Sequence, residues 1–198
     1  MLAIDGHEDR LAMARGQGAE TIHFNKESPV QTTQRLTGRI GVDRAIDALG
    51  VDAERPKQGP AADESEQLRG AFQREVESNT PESGQDGESW KPGDAPSQVL
   101  RWAVEAVAKA GTLAIIGVYP PTMEAFPIGM AMNKNLTLKM GNCNHRKYIP
   151  HLVELTRIGA VLPSAVLTQA EYIEHAVQAY RSFDERKPGW MKVELAPA

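Results

Sequence analysis

The sequence has a single cysteine, no long apolar run and no excess of charge of one sign, and each shortage excludes a class of protein. With Cys143 as its only cysteine, the chain can form neither an internal disulfide nor a four-ligand zinc cluster of the usual spacing. No apolar run reaches the roughly 18 residues of a membrane-spanning helix. The formal net charge of -4 gives no reason to expect nucleic acid or an anionic membrane as a partner. These shortages predict one soluble, cytoplasmic domain that binds neither nucleic acid nor a membrane.

Short apolar runs alternate with stretches of helical periodicity along most of the chain. Such alternation predicts an α/β fold with a parallel sheet, because parallel strands need helical crossovers between them. The predicted strands are residues 2–4, 21–24, 42–50, 112–118, 136–140 and 191–195. The predicted helices are residues 8–15, 30–36, 99–109, 147–158 and 170–183, with a helical turn at 128–132.

Residues 51–97 interrupt this alternation. Pro, Gly, Gln, Glu, Ser and Asp dominate there, and large apolar residues are scattered. Because such a composition buries little core, we interpret the segment as a surface insertion. Its middle, residues 63–76, is predicted to form a short amphipathic helix. Residues 77–96 contain too much Pro and Gly for a helix, and we expect them to be more mobile than their flanks.

Residues that follow the strands are the first candidates for a ligand site. In a doubly wound sheet, ligands bind beyond the carboxyl ends of the strands. Asp5 there can accept hydrogen bonds from an adenosine ribose, or it can cap the helix that begins near Glu8, and position alone favours neither. Gly117 and Gly141 either admit a ligand or serve as turn glycines. For Cys143, an unreactive loop cysteine is the simpler interpretation.

Two strings carry a family resemblance that covers the chain outside the insertion. Ala3-Ile4-Asp5, together with the helix and strand up to Ile22, resembles the second strand, helix and third strand of the cofactor domain in zinc-dependent medium-chain alcohol dehydrogenases. The resemblance continues through residues 41–50, 110–119 and 135–141. It implies a Rossmann-like doubly wound parallel sheet over residues 1–198, with the insertion at 51–97. A long insertion at this place is similar to the glutathione-independent formaldehyde dehydrogenase branch.

The resemblance also implies a cofactor, partners and residue roles. NAD would be the cofactor, a small alcohol or aldehyde the substrate, and zinc a component of the complete relative. Asp5 would bind the ribose, with Arg10 near the adenine. Ala48 and Leu49 would line the adenine pocket. The residues implied beside the nicotinamide are Gly117, Val118, Tyr119, Asn142 and Cys143. Residues 121–140 correspond to the part through which related enzymes dimerise, which implies a homo-oligomer.

The chain departs from the family pattern in two ways. It has no Gly-x-Gly-x-x-Gly turn and no three zinc ligands of supporting spacing. In the strand order 3-2-1-4-5-6 the first strand is central, so we expect a sheet that lacks its first strand and glycine-rich turn and is interrupted in its middle. Two interpretations follow: the NAD-binding portion of an oxidoreductase, or a non-catalytic remnant or interaction module that binds nucleotide weakly at most. Either way, residues 1–198 alone are expected to show no dehydrogenase turnover.

Overall fold

The computed structural model describes residues 1–81 and 90–197. Seven strands and eight α-helices alternate in these ranges. The strands are β1 (Leu2–Asp5), β2 (Glu20–His23), β3 (Val42–Asp47), β4 (Val107–Ile115), β5 (Thr137–Met140), β6 (Gln169–Tyr172) and β7 (Val193–Ala196). The helices are α1 (Glu8–Gly16), α2 (Pro29–Leu36), α3 (Pro60–Gln67), α4 (Arg69–Asn79), α5 (Gln98–Ala106), α6 (Ile128–Asn133), α7 (His145–Arg157) and α8 (Ala176–Asp184). Within the described ranges, no helix combines the length and the apolar character needed to cross a membrane.

Every strand pair in the described ranges is parallel, which confirms the predicted α/β class. β1 pairs with β2, and β3, β4 and β5 form a second sheet with β4 in the middle. β6 and β7 form a third, separate pair. Because β1 and β3 are not paired with each other, the sheet is divided at the position where the sequence predicted an interruption.

Helix packing joins the β1–β2 pair to the three-stranded sheet. α2 packs against α5, and buried Val30, Ala61 and Trp102 form the core of this contact. The Phe24 ring, which directly follows β2, lies 5.8 Å from the Trp102 ring between centroids. The Lys57 amide donates to Asn25 Oδ1 at 2.7 Å. The two sheets are therefore held together through side chains and loops rather than through a strand ladder.

The main hydrophobic core lies between α5 and the three-stranded sheet. Leu100 and Val104 recur at the i, i+4 spacing of one helix face and are buried. They pack against Leu113 and Ile115 of β4, with Ala131 of α6 closing the cluster. The amphipathic pattern of α5 thus determines which face of the sheet it covers.

The boundary between α5 and β4 differs from the sequence prediction. The helix was expected to reach Lys109, but it ends at Ala106, and β4 begins at Val107. Strand pairing of Val107 with Val42 replaces the local helical preference of this Ala-rich segment. Ala110, rather than Gly111, adopts the left-handed conformation, with a φ of 61°.

Lys134 stabilises the end of α5. Its ammonium donates to the carbonyls of Val104, Glu105 and Val107 at 2.9, 2.8 and 2.9 Å. A cation at a helix C-terminus satisfies carbonyls that have no intrahelical partner and interacts favourably with the helix dipole. Burial of the ammonium lowers the pKa of Lys134.

Lys134→Met is expected to lower the free energy of unfolding by about 2 kcal/mol, because the variant keeps the apolar stem and loses the bonds to three carbonyls. Urea unfolding followed by circular dichroism measures the change. Lys139→Met, on neighbouring β5 and exposed, is the matched control and should change stability by less than about 0.5 kcal/mol. Equal effects of the two substitutions would contradict the capping role.

The insertion contributes more buried residues than its composition suggested. Two helices, α3 and α4, replace the single helix expected at residues 63–76, and α4 reaches Asn79. Phe72 and Ala61 are each only 1% exposed, so the expectation that this segment buries little is wrong for them. Buried Glu75 accepts hydrogen bonds from the amide and hydroxyl of Ser97 at 3.0 and 2.9 Å. The mobility predicted for residues 77–96 stays a prediction, and residues 82–89 of this segment lie outside the described residues.

The C-terminal segment also departs from its predicted helix. Residues 170–183 were expected to be helical throughout, but Gln169–Tyr172 forms β6 and the α-helix begins only at Ala176. Parallel pairing with β7, from Gln169↔Val193 to Tyr172↔Ala196, is the reason. A local pattern does not reveal a partner that lies more than one element away along the chain.

Candidate functional site

The carboxyl ends of the three central strands meet at one edge of the sheet. Asp47 of β3 is in register with Ile115 of β4, and Ile115 is in register with Met140 of β5. The segments after these residues therefore emerge side by side. They contain seven of the residues singled out from the sequence: Ala48, Leu49, Gly117, Val118, Tyr119, Asn142 and Cys143.

Asp47 organises the first two of these segments. It is fully buried, and its Oδ1 accepts hydrogen bonds from the amides of Leu49 and Gly50, both at 3.0 Å. Its Oδ2 accepts from the Tyr119 hydroxyl at 2.6 Å. Burial, and then the contact with the Asp47 carboxylate, raise the pKa of Tyr119, so the phenol remains a hydrogen-bond donor.

Two glycines allow the backbones of these segments to touch. Gly50 forms a parallel bridge with Val118, and the Val51 amide donates to the Val118 carbonyl at 3.0 Å. A Cβ at Gly117 would lie 2.2 Å from the Gly50 nitrogen, and a Cβ at Gly50 would lie 2.4 Å from the Val118 nitrogen. Gly117 is therefore required by the contact between the two segments. The sequence had suggested only two roles for this glycine, the approach of a ligand and a turn.

Side chains next to this bridge are open to solvent. Ala48 and Leu49 are exposed, and Val118 is 72% exposed. The cluster thus has a rigid polar base, made by Asp47 and Tyr119, and an apolar outer surface. A flat, apolar ring with polar substituents is the kind of ligand that such a surface can accept.

Asp5 lies at the carboxyl end of β1 and is half-buried, with 30% of its side chain exposed. Its Oδ1 accepts a hydrogen bond from the His7 amide at 2.9 Å, and its Oδ2 lies 3.8 Å from Arg10 Nη1. The N-cap of α1 is His7, so Asp5 is not the capping residue itself. The structure thus brings Asp5 and Arg10 together and leaves Oδ2 without a close hydrogen-bond donor among the described residues.

Asn142 and Cys143 follow β5 and are exposed. Gly141, which precedes them, has a φ of 140°, and a Cβ added to it would have no atom within 4 Å. This glycine serves the turn and does not mediate a close approach. The structure thus places both residues beyond the strand ends but gives them no hydrogen bond to the Asp47 cluster.

A metal centre has no support among the residues described. Those ranges hold no group of three or more His, Cys, Asp and Glu side chains that could bind a metal ion. The donor set of a zinc site is therefore missing from this edge of the sheet.

Sequence reasoning did not identify Asp47 as a site residue. It is the only carboxylate near the end of the predicted strand 42–50. An acidic residue next to a small-residue turn could have indicated a residue that organises the turn. The sequence prediction extended that strand to Gly50, which placed Asp47 within the strand instead of at its end. The structure ends the strand at Asp47.

The fold and this edge define the class of protein: a Rossmann-like α/β fold of the kind found in the NAD-binding domains of alcohol dehydrogenases. Alcohol dehydrogenase from Thermus sp. ATN1 superimposes with a TM-score of 0.69 at 23% identity, over 100% of this chain and 43% of its own. An NAD-dependent alcohol dehydrogenase gives a TM-score of 0.63 at 20% identity, over 98% of this chain and 43% of its own.

Sequence comparison gives the particular relatives. The chain is 33% identical over 95 residues to a zinc-type alcohol dehydrogenase-like protein, AdhB, of Bacillus subtilis, covering 48% of this chain and 25% of that protein. It is 25% identical over 203 residues to an alcohol dehydrogenase of Cupriavidus necator, covering 100% of this chain and 42% of that protein. The chain thus spans less than half the length of these relatives. No family model matches it. The predicted resemblance to zinc-type alcohol dehydrogenases is confirmed by these matches.

Proposed function

We propose that this chain is the NAD-binding portion of an oxidoreductase that resembles the zinc-dependent alcohol and aldehyde dehydrogenases. The observation that carries the proposal is the cluster at the strand ends, where Asp47 fixes the segments after β3 and β4 against each other. The reaction would be hydride transfer between NAD and a small alcohol or aldehyde, in which NAD would accept the hydride.

The side chains at this edge fit NAD in their chemistry. Asp5 presents a half-buried carboxylate at a strand end, where it can accept hydrogen bonds from both ribose hydroxyls. Exposed Leu49 and Val118 offer apolar surface to the rings. Asp47 and Tyr119 hold the two segments in place through their hydrogen bonds.

Zinc chemistry does not fit the described residues. A zinc-dependent dehydrogenase polarises the substrate oxygen with a metal held by three protein ligands and an open position. The described residues contain no such set. We therefore assign no step of the reaction to a metal on this chain.

The first test concerns cofactor choice. A carboxylate at Asp5 repels the 2'-phosphate of NADP, so NADH is expected to bind at least about tenfold more tightly than NADPH, equivalent to about 1.4 kcal/mol. Asp5→Ser should reduce this ratio to near one. Fluorescence titration of the chain with each reduced cofactor measures both affinities.

Glu20→Gln is the matched control for this test, because it removes one exposed negative charge at the amino end of β2, away from the carboxyl ends of the strands. It should leave the preference for NADH unchanged. Tighter binding of NADPH by the unmodified chain, or a preference that survives Asp5→Ser, would contradict the assigned role of Asp5.

We also propose that the complete protein is a homo-oligomer that associates through residues 121–140. β5 is an edge strand of the three-stranded sheet, and Met132 and Met140 in this region are 74% and 63% exposed. An edge strand with exposed apolar side chains is suited to pairing between copies.

A further inference from the structure

A cavity lies beside the Gly50–Val118 bridge, where the insertion begins. It has a volume of about 330 Å³. Cavities that bind small molecules have volumes of about 300–1,000 Å³, so this one has room for a small ligand. Residues from three separate segments of the chain form its walls: Val51, Asp52, Trp90, Val118 and Pro120.

Backbone hydrogen bonds hold the last part of the insertion against its first residues. The Gly93 amide donates to the Val51 carbonyl at 3.2 Å, and the Ala95 amide donates to the Ala53 carbonyl at 3.0 Å. Glycine is needed at position 93, because a Cβ there would lie 2.1 Å from the Ala53 oxygen. Trp90 shortly precedes this contact, and the contact therefore keeps its side chain at the cavity wall.

Asp52 brings a carboxylate to the cavity. Burial raises the pKa of this carboxyl, and the neighbouring Arg186 and Trp90 offset only part of that effect. The Arg186 guanidinium is engaged elsewhere, because its Nη1 forms an ion pair with Glu54 and its Nη2 donates to the Asp52 carbonyl at 3.0 Å. Among the described residues, no basic side chain forms an ion pair with the Asp52 carboxylate.

The surroundings of the cavity carry more negative than positive charge. Asp184, at the end of α8, lies close enough for its charge to raise the pKa of Asp52 further. Glu54 is neutralised by Arg186, so the two aspartates supply an excess of negative charge. Because a charge in a partly buried site is screened less than one in water, this excess favours a cation in the cavity.

The other walls of the cavity are aromatic and apolar. Trp90 is 46% exposed, so part of its ring surface is available to a ligand. The face of an indole ring attracts cations more strongly than that of any other aromatic side chain. Val51, Val118 and Pro120 add apolar surface, which suits alkyl groups better than the water shell of a metal ion.

We propose that this cavity binds a small organic cation, an ammonium nitrogen that carries alkyl groups. The Asp52 carboxylate opposes the charge of the nitrogen, the Trp90 ring contacts its alkyl groups, and Val51, Val118 and Pro120 cover them. Most of these wall residues belong to the insertion, so the insertion creates the site. This binding does not rest on the NAD proposal, and its test uses no nucleotide.

Three probes of nearly the same shape test the charge that the cavity selects. They are choline, its uncharged carbon analogue 3,3-dimethylbutan-1-ol, and the anion 3,3-dimethylbutanoate. The proton NMR line widths of their methyl groups, measured as the full chain is added at constant KCl, give the three affinities. Choline should bind saturably, and both analogues should bind at least about tenfold more weakly.

The other outcomes each overturn the assignment to an organic cation. If choline does not bind saturably, the cavity does not accept such a ligand. Equal affinity for choline and the uncharged analogue would show an apolar cavity that ignores charge. Tighter binding of the anion would show that the Arg186 guanidinium, and not the Asp52 carboxylate, selects the ligand.

Variants of the chain locate the bound cation. Asp52→Asn removes the charge and keeps the shape, Trp90→Leu removes the ring and keeps an apolar wall, and each should weaken choline binding at least about fivefold. Asp43→Asn, on exposed β3, and Tyr148→Leu, at a ring that is also 46% exposed, are the matched controls and should leave the affinity within about twofold. Equal weakening by the controls would place the cation elsewhere and overturn the assignment. If a cavity variant does not fold by circular dichroism, the three probes decide on the unmodified chain.

Discussion

Asp47→Ala is expected to lower the free energy of unfolding by about 3–5 kcal/mol, since each buried donor left without a partner costs about 1–3 kcal/mol. The substitution leaves the amides of Leu49 and Gly50 and the hydroxyl of Tyr119 without their acceptor. Because these groups support the segments after β3 and β4, NADH binding should weaken as well. Urea unfolding and fluorescence titration measure the two effects.

Two variants separate the role of the Asp47 carboxylate from a general effect of charge or size. Asp47→Asn keeps an acceptor oxygen for the amides and should recover part of the lost stability. Asp43→Ala, on the same strand and exposed, should change stability by less than about 0.5 kcal/mol. An Asp47→Ala chain as stable as the unmodified one would show that Asp47 does not organise the site.

Gly117→Ala is expected to destabilise the chain by about 3 kcal/mol, because an added methyl group must force two backbones apart. The new Cβ would lie 2.2 Å from the nitrogen and 2.6 Å from the Cα of Gly50. Relief requires loss of the Gly50–Val118 bridge, so NADH affinity should fall at least tenfold. Thermal melting and the same titration are the measurements.

Gly129→Ala is the matched control, since a Cβ at this position in α6 would have no atom within 4 Å. It should be neutral or slightly stabilising, because alanine has the higher helix propensity. If Gly117→Ala and Gly129→Ala melt at the same temperature, the contact between the two segments does not limit stability.

The first half of the fold could be predicted from local sequence features. Apolar runs mark β1, β2 and β3, and Ser28 followed by Pro29 gives α2 a strong start, because the Ser28 side chain accepts from the Gln31 amide. Each of these signals lies within a few residues of the structure it specifies. The same locality explains why Asp5 could be placed at the end of β1, whereas the end of β3 was misplaced at Gly50 instead of Asp47.

The errors occur where a distant partner determines the structure. Residues 107–110 have a helical composition but join β4, which begins where Val107 pairs with Val42 of β3 across the whole insertion. Residues 169–172 form a strand only through β7. Asp47 was missed as a site residue for a related reason: its value depends on the approach of Tyr119, which lies 72 positions later.

The interruption of the sheet was predicted, but what holds the two parts together was not. The prediction required only the strand order and the number of strands. The packing of Ala61 with Val30 and Trp102 and the burial of Phe72 involve the insertion, whose composition suggested a solvated surface. Scattered apolar residues can form a core when two helices place them on the same side.

Cys143 provides a single site for chemical labelling of the chain. It is the only thiol in the sequence, it is exposed, and it lies two positions beyond the glycine that follows β5. A maleimide reagent will therefore attach one probe at one defined point, beside the strand ends and away from the buried base of the cluster. A dye or spin label can be introduced there without the removal of any other cysteine.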